Sequence, residues 1–339
     1  MEIIERLQKN KNFILILLGG MVITSGLTFV IRPFDVHVMI MVLIWAVLGL
    51  GWNLIGGYTG YSSNGHALFM AIGAYSCALL IKWFQITPWI SIWVGVIISV
   101  MIAFIIGMPL LKLKGQYFAV ATMCLAECAR IILLNFDAVG GSTGVSYFNR
   151  TLPPILSWQF KTKQEYFLLY LGVFVVILIL AKILDKTKFG YYLRAIKGNE
   201  DSAQCVGIDT TKYKVLAYLL SAAIVSIGGS MWANYLCYID PYTLLPLSMS
   251  MMICLVPIMG GVGTVVGPIL GAIVLTAISQ YTTSIFVGTS GLSLFLYGVL
   301  VIIMVLFLPD GLISLFKKKR KKIDLTALLE PDKEKATNE

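Results

Sequence analysis

Charge is scarce in this chain. Only 13% of its 339 residues are Asp, Glu, Lys or Arg, about half of the ~25% found in an ordinary soluble domain. Polar stretches are short as well, none much beyond about 30 residues, so no soluble domain is expected anywhere. A phosphate-cradling G-x-x-x-x-G-K-[ST] loop is missing, and the nearest glycine cluster, Gly140-Gly141-Ser142-Thr143-Gly144, lacks the lysine. There is no G-x-S-x-G nucleophile elbow. With only two histidines, His37 and His66, there is no zinc-ligand spacing either. No engine for catalysis is visible, and neither a cofactor nor a metal is expected on this chain. Any uphill transport must draw its energy from a partner or an ion gradient. Carboxylates are almost absent from the apolar runs, Glu127 excepted, which weighs against an autonomous secondary transporter or channel.

Cysteine patterning excludes a disulfide framework. The six cysteines, at 77, 124, 128, 205, 237 and 254, form no C-x-x-C pair and lie mostly in or beside apolar runs. Cys124 and Cys128 are one helical turn apart but have no histidine or third thiolate nearby, so both read as small buried residues.

What the chain does have is apolar length: 58% of its residues are hydrophobic. Ten runs can be drawn, at 13–31, 37–55, 64–82, 88–111, 116–135, 166–184, 213–236, 248–261, 265–281 and 292–308. A bilayer crossing needs about 20 mostly apolar residues, and backbone polar groups in lipid must be satisfied within the segment, so the runs are helices. The expected fold is an all-α polytopic membrane protein of about ten spans. The eighth and ninth runs are short and broken by Pro257, Gly260, Gly261, Gly263, Gly267, Pro268 and Gly271. If 248–281 is re-entrant, eight crossings remain. The first run follows a charged start (Arg6, Lys9, Lys11) and exceeds the roughly 7–15 apolar residues of a signal peptide, so it reads as a retained span.

Orientation follows from the basic residues. With the N-terminus inside, 20 of the 26 Lys and Arg fall on the cytoplasmic side and 5 outside, with Arg130 inside a span. The net charge of +9 thus reads as topology charge rather than a nucleic-acid surface. The organisation expected is a cytoplasmic N-terminus over 1–12, a transmembrane domain over 13–308 with a cytoplasmic loop at 185–212, and a basic cytoplasmic tail over 309–339. The run at 317–322, KKKRKK, anchors that tail.

The loop is the most informative polar segment. Tyr191 to Cys205 reads as one helix, with Leu193, Ile196 and Val206 offering apolar contacts. Gly207 ends it, and Asp209 or Thr210 caps the next helix. Such an amphipathic helix lies on lipid, packs on its own bundle, stays solvated, or docks a partner.

The residues themselves carry a resemblance. Gly190, Leu193, Arg194, Ala195, Ile196, Asn199, Ala203, Gly207 and Ile208 resemble the coupling loop of LIV-type (leucine/isoleucine/valine) ABC permeases. Gly56-Gly57-Tyr58-Thr59-Gly60-Tyr61 with Gly65-His66-Ala67 resembles the family's segment before span three. Lys114-Gly115-Gln116-Tyr117-Phe118-Ala119, Gly260-Gly261-Val262-Gly263-Thr264 and Leu308-Pro309-Asp310-Gly311-Leu312 match further segments in order. Within the family the pattern is closer to the LivM type than to LivH. The resemblance implies a non-catalytic permease of the cell (inner) membrane of a prokaryote, importing branched-chain amino acids. Urea, amides or other amino acids are alternatives on the same scaffold. It also implies partners: a second related permease, two ATP-binding subunits that hold ATP and Mg, and an extracytoplasmic substrate-binding protein.

Candidates for the translocation path are the two glycine-broken segments, through Gly57, Tyr58, Gly60, Gly65, His66, Gly260, Gly261 and Gly263, together with Glu127 and Arg130. Unwound backbone at membrane depth survives only where protein or a cavity covers it. The two breaks read as distant repeats. Glu127 and Arg130, three apart, are expected to form an internal ion pair that holds helices together. In the long loop 136–165, Gly140 to Gly144, Trp158 and Phe160 are expected to present a docking surface to the binding protein.

Overall fold

Apolar runs that cannot share their backbone hydrogen bonds with water close them internally, and among the described residues they do so as eight long helices. The structure is a computed structural model. It describes residues 31–286 except 114 and 149–152, together with 26, 295, 298, 299, 301, 302, 306, 307 and 311–316. The runs at 13–31 and 292–308 lie outside the described residues apart from isolated positions. The long helices are α1 (Pro33–Trp52), α2 (His66–Phe84), α3 (Pro88–Leu110) and α4 (Gln116–Leu134). After the four-residue α5 (Pro154–Ser157) comes α6 (Lys163–Lys186), then the short pair α7 (Lys188–Gly198) and α8 (Glu200–Cys205). The chain continues through α9 (Thr210–Leu236), α10 (Pro241–Leu244), α11 (Leu247–Gly260) and α12 (Gly267–Ile285).

Helix α9 is the spine, packed against α1, α2 and α3 at once. It fits there because its middle is small: Ser221, Ala222, Ser226, Gly228, Gly229 and Ser230 are all buried. At Gly229 an added Cβ would sit 2.0 Å from the Met70 carbonyl of α2. At Gly73 of α2 it would sit 2.0 Å from the Ser226 carbonyl. The two backbones touch directly, as small-residue interfaces in lipid permit, and Ser230 Oγ donates to Gly73 O at 3.0 Å. Helix α1 is buried nearly all round, between α9, α6, α11 and α12.

The bundle has two ends. One carries α7 and α8 and is the basic end. The other carries a two-residue antiparallel pair, β1 (Val145–Ser146) with β2 (Tyr238–Ile239), in the register Val145↔Ile239 and Ser146↔Tyr238. Helix α11 starts from α10, beside the Gly141–Thr143 turn of the β end, and finishes against Asn53 at the basic end. Helix α12 returns, and its Tyr281 hydroxyl donates to Asp35 at the start of α1 at 2.6 Å. Each therefore runs the whole distance between the ends, and the re-entrant option for 248–281 is corrected. Of the helix-breaking residues, Gly261 and Gly263 lie in the joint between α11 and α12, whereas Pro257, Gly260, Gly267, Pro268 and Gly271 lie inside the two helices.

Three further expectations are corrected. Cys124 and Cys128 are exposed, because α4 packs along one narrow side and both thiols lie on the other. Trp158 is 1% exposed and has its ring 5.1 Å from Trp89, so it is a core residue of the β-end loop and not part of a docking surface. The helix read over 191–205 is two helices, because Asn199 sits in extended backbone and its carboxamide accepts from Ser202 N at 2.9 Å, capping α8.

Candidate functional site

At the basic end, the sequence dictates two failures of helix. After Trp52, α1 widens into a single π turn, Asn53–Gly57, and 58–65 then runs without helix to His66. Between α11 and α12, Gly261 and Gly263 take positive φ, a bend that α-helix cannot follow. Both breaks are partly covered by protein, with Gly60, Ser62, Val262 and Val266 exposed, and several of their backbone groups are paired by side chains. Trp52 Nε1 donates to Ser63 O at 2.7 Å, and Thr59 Oγ1 to Ile55 O at 2.6 Å. In the second break Thr264 Oγ1 donates to Gly261 O at 2.8 Å and accepts from Gly267 N at 3.0 Å. One side chain joins the two breaks. Asn53 Nδ2 donates to Thr264 O, and its Oδ1 accepts from Gly263 N, each at 2.9 Å.

Helices α7 and α8 are fastened to the first break at three points. Asp185, at the end of α6, pairs with Arg194 of α7 and accepts from Tyr58 OH at 2.8 Å, while the guanidinium lies over the Tyr58 ring. Lys197 Nζ donates to Gly57 O at 2.8 Å. Glu200, opening α8, accepts from Tyr61 OH at 2.7 Å and from Lys214 Nζ of α9 at 2.6 Å, with Thr210 Oγ1 at 3.2 Å. Lys214 also reaches the Leu111 carbonyl at 3.4 Å and lies over the Tyr61 ring.

The electrostatics keep each contact in one protonation state. Burial, then the Asp185 acceptor, pushes the Tyr58 phenol well above its usual range, and burial with Glu200 does the same to Tyr61. Both stay neutral donors. Burial alone would raise Glu200, but the bonds from Lys214, Tyr61 and Thr210 outweigh it and hold the carboxyl below the usual range. Burial lowers the Lys197 ammonium.

Beside these anchors is a recess of about 830 Å³, lined by Lys182, Asp185 and Arg194 on one wall and Gly263, Thr264 and Val266 on the other. Mechanically the arrangement is a clamp, because a displacement of α7 and α8 pulls on residues 57, 58 and 61 together.

Of the nine loop residues singled out from sequence, Gly190, Leu193, Ile196 and Ala203 are buried within this chain and seat the loop on the bundle. Arg194, Ala195, Asn199 and Gly207 lie on the exposed side, and Ile208 is half-buried. Val206, at 81% exposure, is the outermost apolar residue there. Gly207 has φ +85° and Asp209 caps α9 by accepting from Lys212 N, as the loop sequence leads one to expect.

The path candidates divide. Gly57, Tyr58, Gly263 and Gly261 belong to the clamp. Gly60 is exposed beside Lys197, with a φ of +79°. Gly65 and Gly260 are pressed against the Thr122 and Gly267 carbonyls. His66 is fully buried, with Nε2 2.7 Å from Ser221 Oγ and its ring edge-on to Phe69 and Tyr218, so it packs between α2 and α9. Glu127 and Arg130 do pair, but within α4 alone and on its exposed side. They join no two helices, which corrects that expectation.

Sequence reasoning missed Asn53 and Asp185, and gave no role of their own to Lys197, Glu200 and Lys214, which lie within the loop motif. Their one visible signal was polar or charged side chains placed at the margins of apolar runs.

Comparison with known proteins covers most of the chain. The family described as branched-chain amino acid transport system / permease component matches residues 36–305. The high-affinity branched-chain amino acid transport system permease protein LivM of Salmonella typhimurium is 25% identical over 335 residues, covering 92% of this chain and 77% of its own. A probable LivM permease of Methanocaldococcus jannaschii is 24% identical, over 82% of this chain and 94% of its own. A probable LivH permease of the same organism is 27% identical, over 82% and 90%. No solved structure matches the chain.

Proposed function

Because the chain belongs to the permease components of branched-chain amino acid transport systems, we propose that it carries leucine, isoleucine or valine through the membrane as one half of a two-permease importer. The second half is a related permease, in keeping with its likeness to both LivM and LivH proteins. Two ATP-binding subunits hold the ATP and Mg, and an extracytoplasmic protein delivers the solute. The basic end faces the cytoplasm, as its share of Lys and Arg requires, and both termini lie there.

The observation that carries the reading is the three-point clamp. An energy-supplying partner has to move the spans through whatever it touches. Helices α7 and α8 offer it the exposed Tyr191, Arg194, Ala195 and Val206 while their other side holds the first helix break. Closure of the ATP-binding subunits presses on α7 and α8, the clamp shifts residues 57–61, and Asn53 carries the shift to the second break. Alternating access then arises where two irregular segments already interrupt the helices.

The test is leucine uptake into proteoliposomes holding the full complex, with ATP inside and binding protein outside. Uptake that needs ATP and all the partners is expected. An intact complex that ignores leucine while its ATPase responds to urea or an amide would overturn the substrate. Uptake driven by an ion gradient without ATP-binding subunits would overturn the class.

A further inference from the structure

The exposed side of α4 carries an ion pair. This helix is the least buried of the eight long helices described. Its exposed positions are Gln116, Tyr117, Val120, Cys124, Cys128, Ile131 and Ile132, a mixed face in which Gln116, Val120, Cys124, Cys128 and Ile131 fall at helical spacing. Between Cys124 and Ile131 on this side lies the Glu127–Arg130 pair. Arg130 Nε donates to both Glu127 carboxylate oxygens, at 3.1 and 3.0 Å. The side chains keep 44% and 25% exposure, and among the described residues no other helix supplies either with an ion-pair partner.

Depth makes this pair costly. At 1.5 Å per residue, Glu127 and Arg130 stand roughly 17 and 21 Å along a helix about 28 Å long, inside the hydrocarbon thickness. A single charge at such depth is strongly disfavoured against lipid. A mutually paired but open ion pair persists there where water or a polar ligand meets it. Its separation also matches one ligand chemistry. An α-amino acid carries an ammonium and a carboxylate on the same carbon, and a carboxylate beside a guanidinium is the complementary pair.

We propose that this side of α4 lines the translocation path, where Glu127 receives the ammonium and Arg130 the carboxylate of a zwitterionic amino acid, exchanging their mutual pair for two pairs with the solute. The inference rests on the transport reading above and adds to it the groups that meet the invariant head of the solute. Tyr242, exposed on α10, which packs against α4, borders the same side. Side-chain selection among amino acids lies elsewhere, because neither charged group touches that part of the solute.

Two native thiols report on this face. In the full complex in proteoliposomes, with Cys205→Ser and Cys237→Ser removing the other accessible thiols, Cys124 and Cys128 are labelled with a cationic methanethiosulfonate. Ile105→Cys on the apolar α3 serves as the lipid-facing control. Labelling about tenfold or more above the control is expected, slowed by leucine and not by 4-methylpentanoate, which lacks the ammonium. Glu127→Gln and Arg130→Gln should each raise the leucine KM about tenfold or more, while the charge exchange E127R/R130E keeps the intrahelical pair and shows that the helix still folds. Labelling no faster than the control means lipid or a packed protein interface, and overturns the proposal. Fast labelling indifferent to saturating leucine, or neutral variants with unchanged KM, overturns it equally. A native complex that takes up no leucine at all overturns the transport reading instead, so the two failures are distinguishable.

Discussion

Asn53 and Gly263 stand 210 positions apart, and the carboxamide of the first accepts the backbone N–H of the second at 2.9 Å while donating to the neighbouring Thr264 carbonyl. This one fully buried side chain completes two irregular segments that would otherwise leave polar backbone unpaired in the bundle. Asn53→Ala should therefore lose about 2–4 kcal/mol, the cost of stranding a buried donor and a buried acceptor. Thermal unfolding in detergent measures it, and a variant as stable as the native chain would refute the joint.

The Glu200–Lys214 pair is the most enclosed ion pair of the clamp, with side-chain exposures of 19% and 5%. Glu200→Gln leaves the ammonium buried without its counter-charge, and a loss of about 3 kcal/mol is expected. The double variant E200Q/K214M should recover most of that loss. A double-mutant cycle on unfolding free energies decides it, since simple additivity would mean the pair is not coupled.

Acid should weaken the same clamp. The folded-state pKa of Glu200 is depressed, so its contribution is fully present above the unfolded carboxylate value of about 4.3 and is lost as pH falls through the folded value. Protection of the amides in 199–208, taken relative to their intrinsic exchange at each pH, should fall in the native chain below about pH 4, while in Glu200→Gln it is already low and changes little with pH there. Equal pH dependence in both would assign the change to another group.

Val206→Glu separates folding from docking. The residue is among the most exposed apolar side chains described, so its replacement should change stability by less than about 0.5 kcal/mol. Copurification with the ATP-binding subunits should nevertheless fall about tenfold, with ATP-driven uptake following. Normal assembly and uptake would remove α8 from the partner surface.

Gly207 tests the loop's backbone. Its φ of +85° is unfavourable for a side chain, but nothing lies within 4 Å of an added Cβ. Gly207→Ala should cost about 1 kcal/mol locally and Gly207→Asn less, because Asn tolerates the left-handed region. Exchange rates across 204–210 rank the three.

Much of the frame was legible because bilayer physics is written in single residues. The eight described helices match eight of the ten apolar runs, and Gly207 and Asp209 mark the loop's end by local chemistry alone. What stayed hidden depends on partners far away in sequence. Trp158 looks like loop surface until Trp89 and Tyr170 close over it. Cys124 and Cys128 look buried until α4 is seen to touch the bundle along one side. Asn53 is an unremarked polar residue in an apolar run, and nothing local to Glu200 marks its pairing with Lys214 and Tyr61. For the pair Glu127 and Arg130, spacing gave the bond but not the direction in which it faces.

The backbone contact of α2 with α9 has a consequence for how force travels. Where Gly73 meets Ser226 and Gly229 meets Met70 there are no side chains to flex, so the two helices behave as one stiff spar. That spar starts at the basic end on both strands of its width, α2 directly after the first break and α9 directly after α8. A push delivered there is expected to pass along the spar rather than dissipate in soft packing, reaching the β end at the far end of the 27-residue α9, about 40 Å away. The molecule's gearing is set by glycine and serine, the residues least noticed in an apolar sequence.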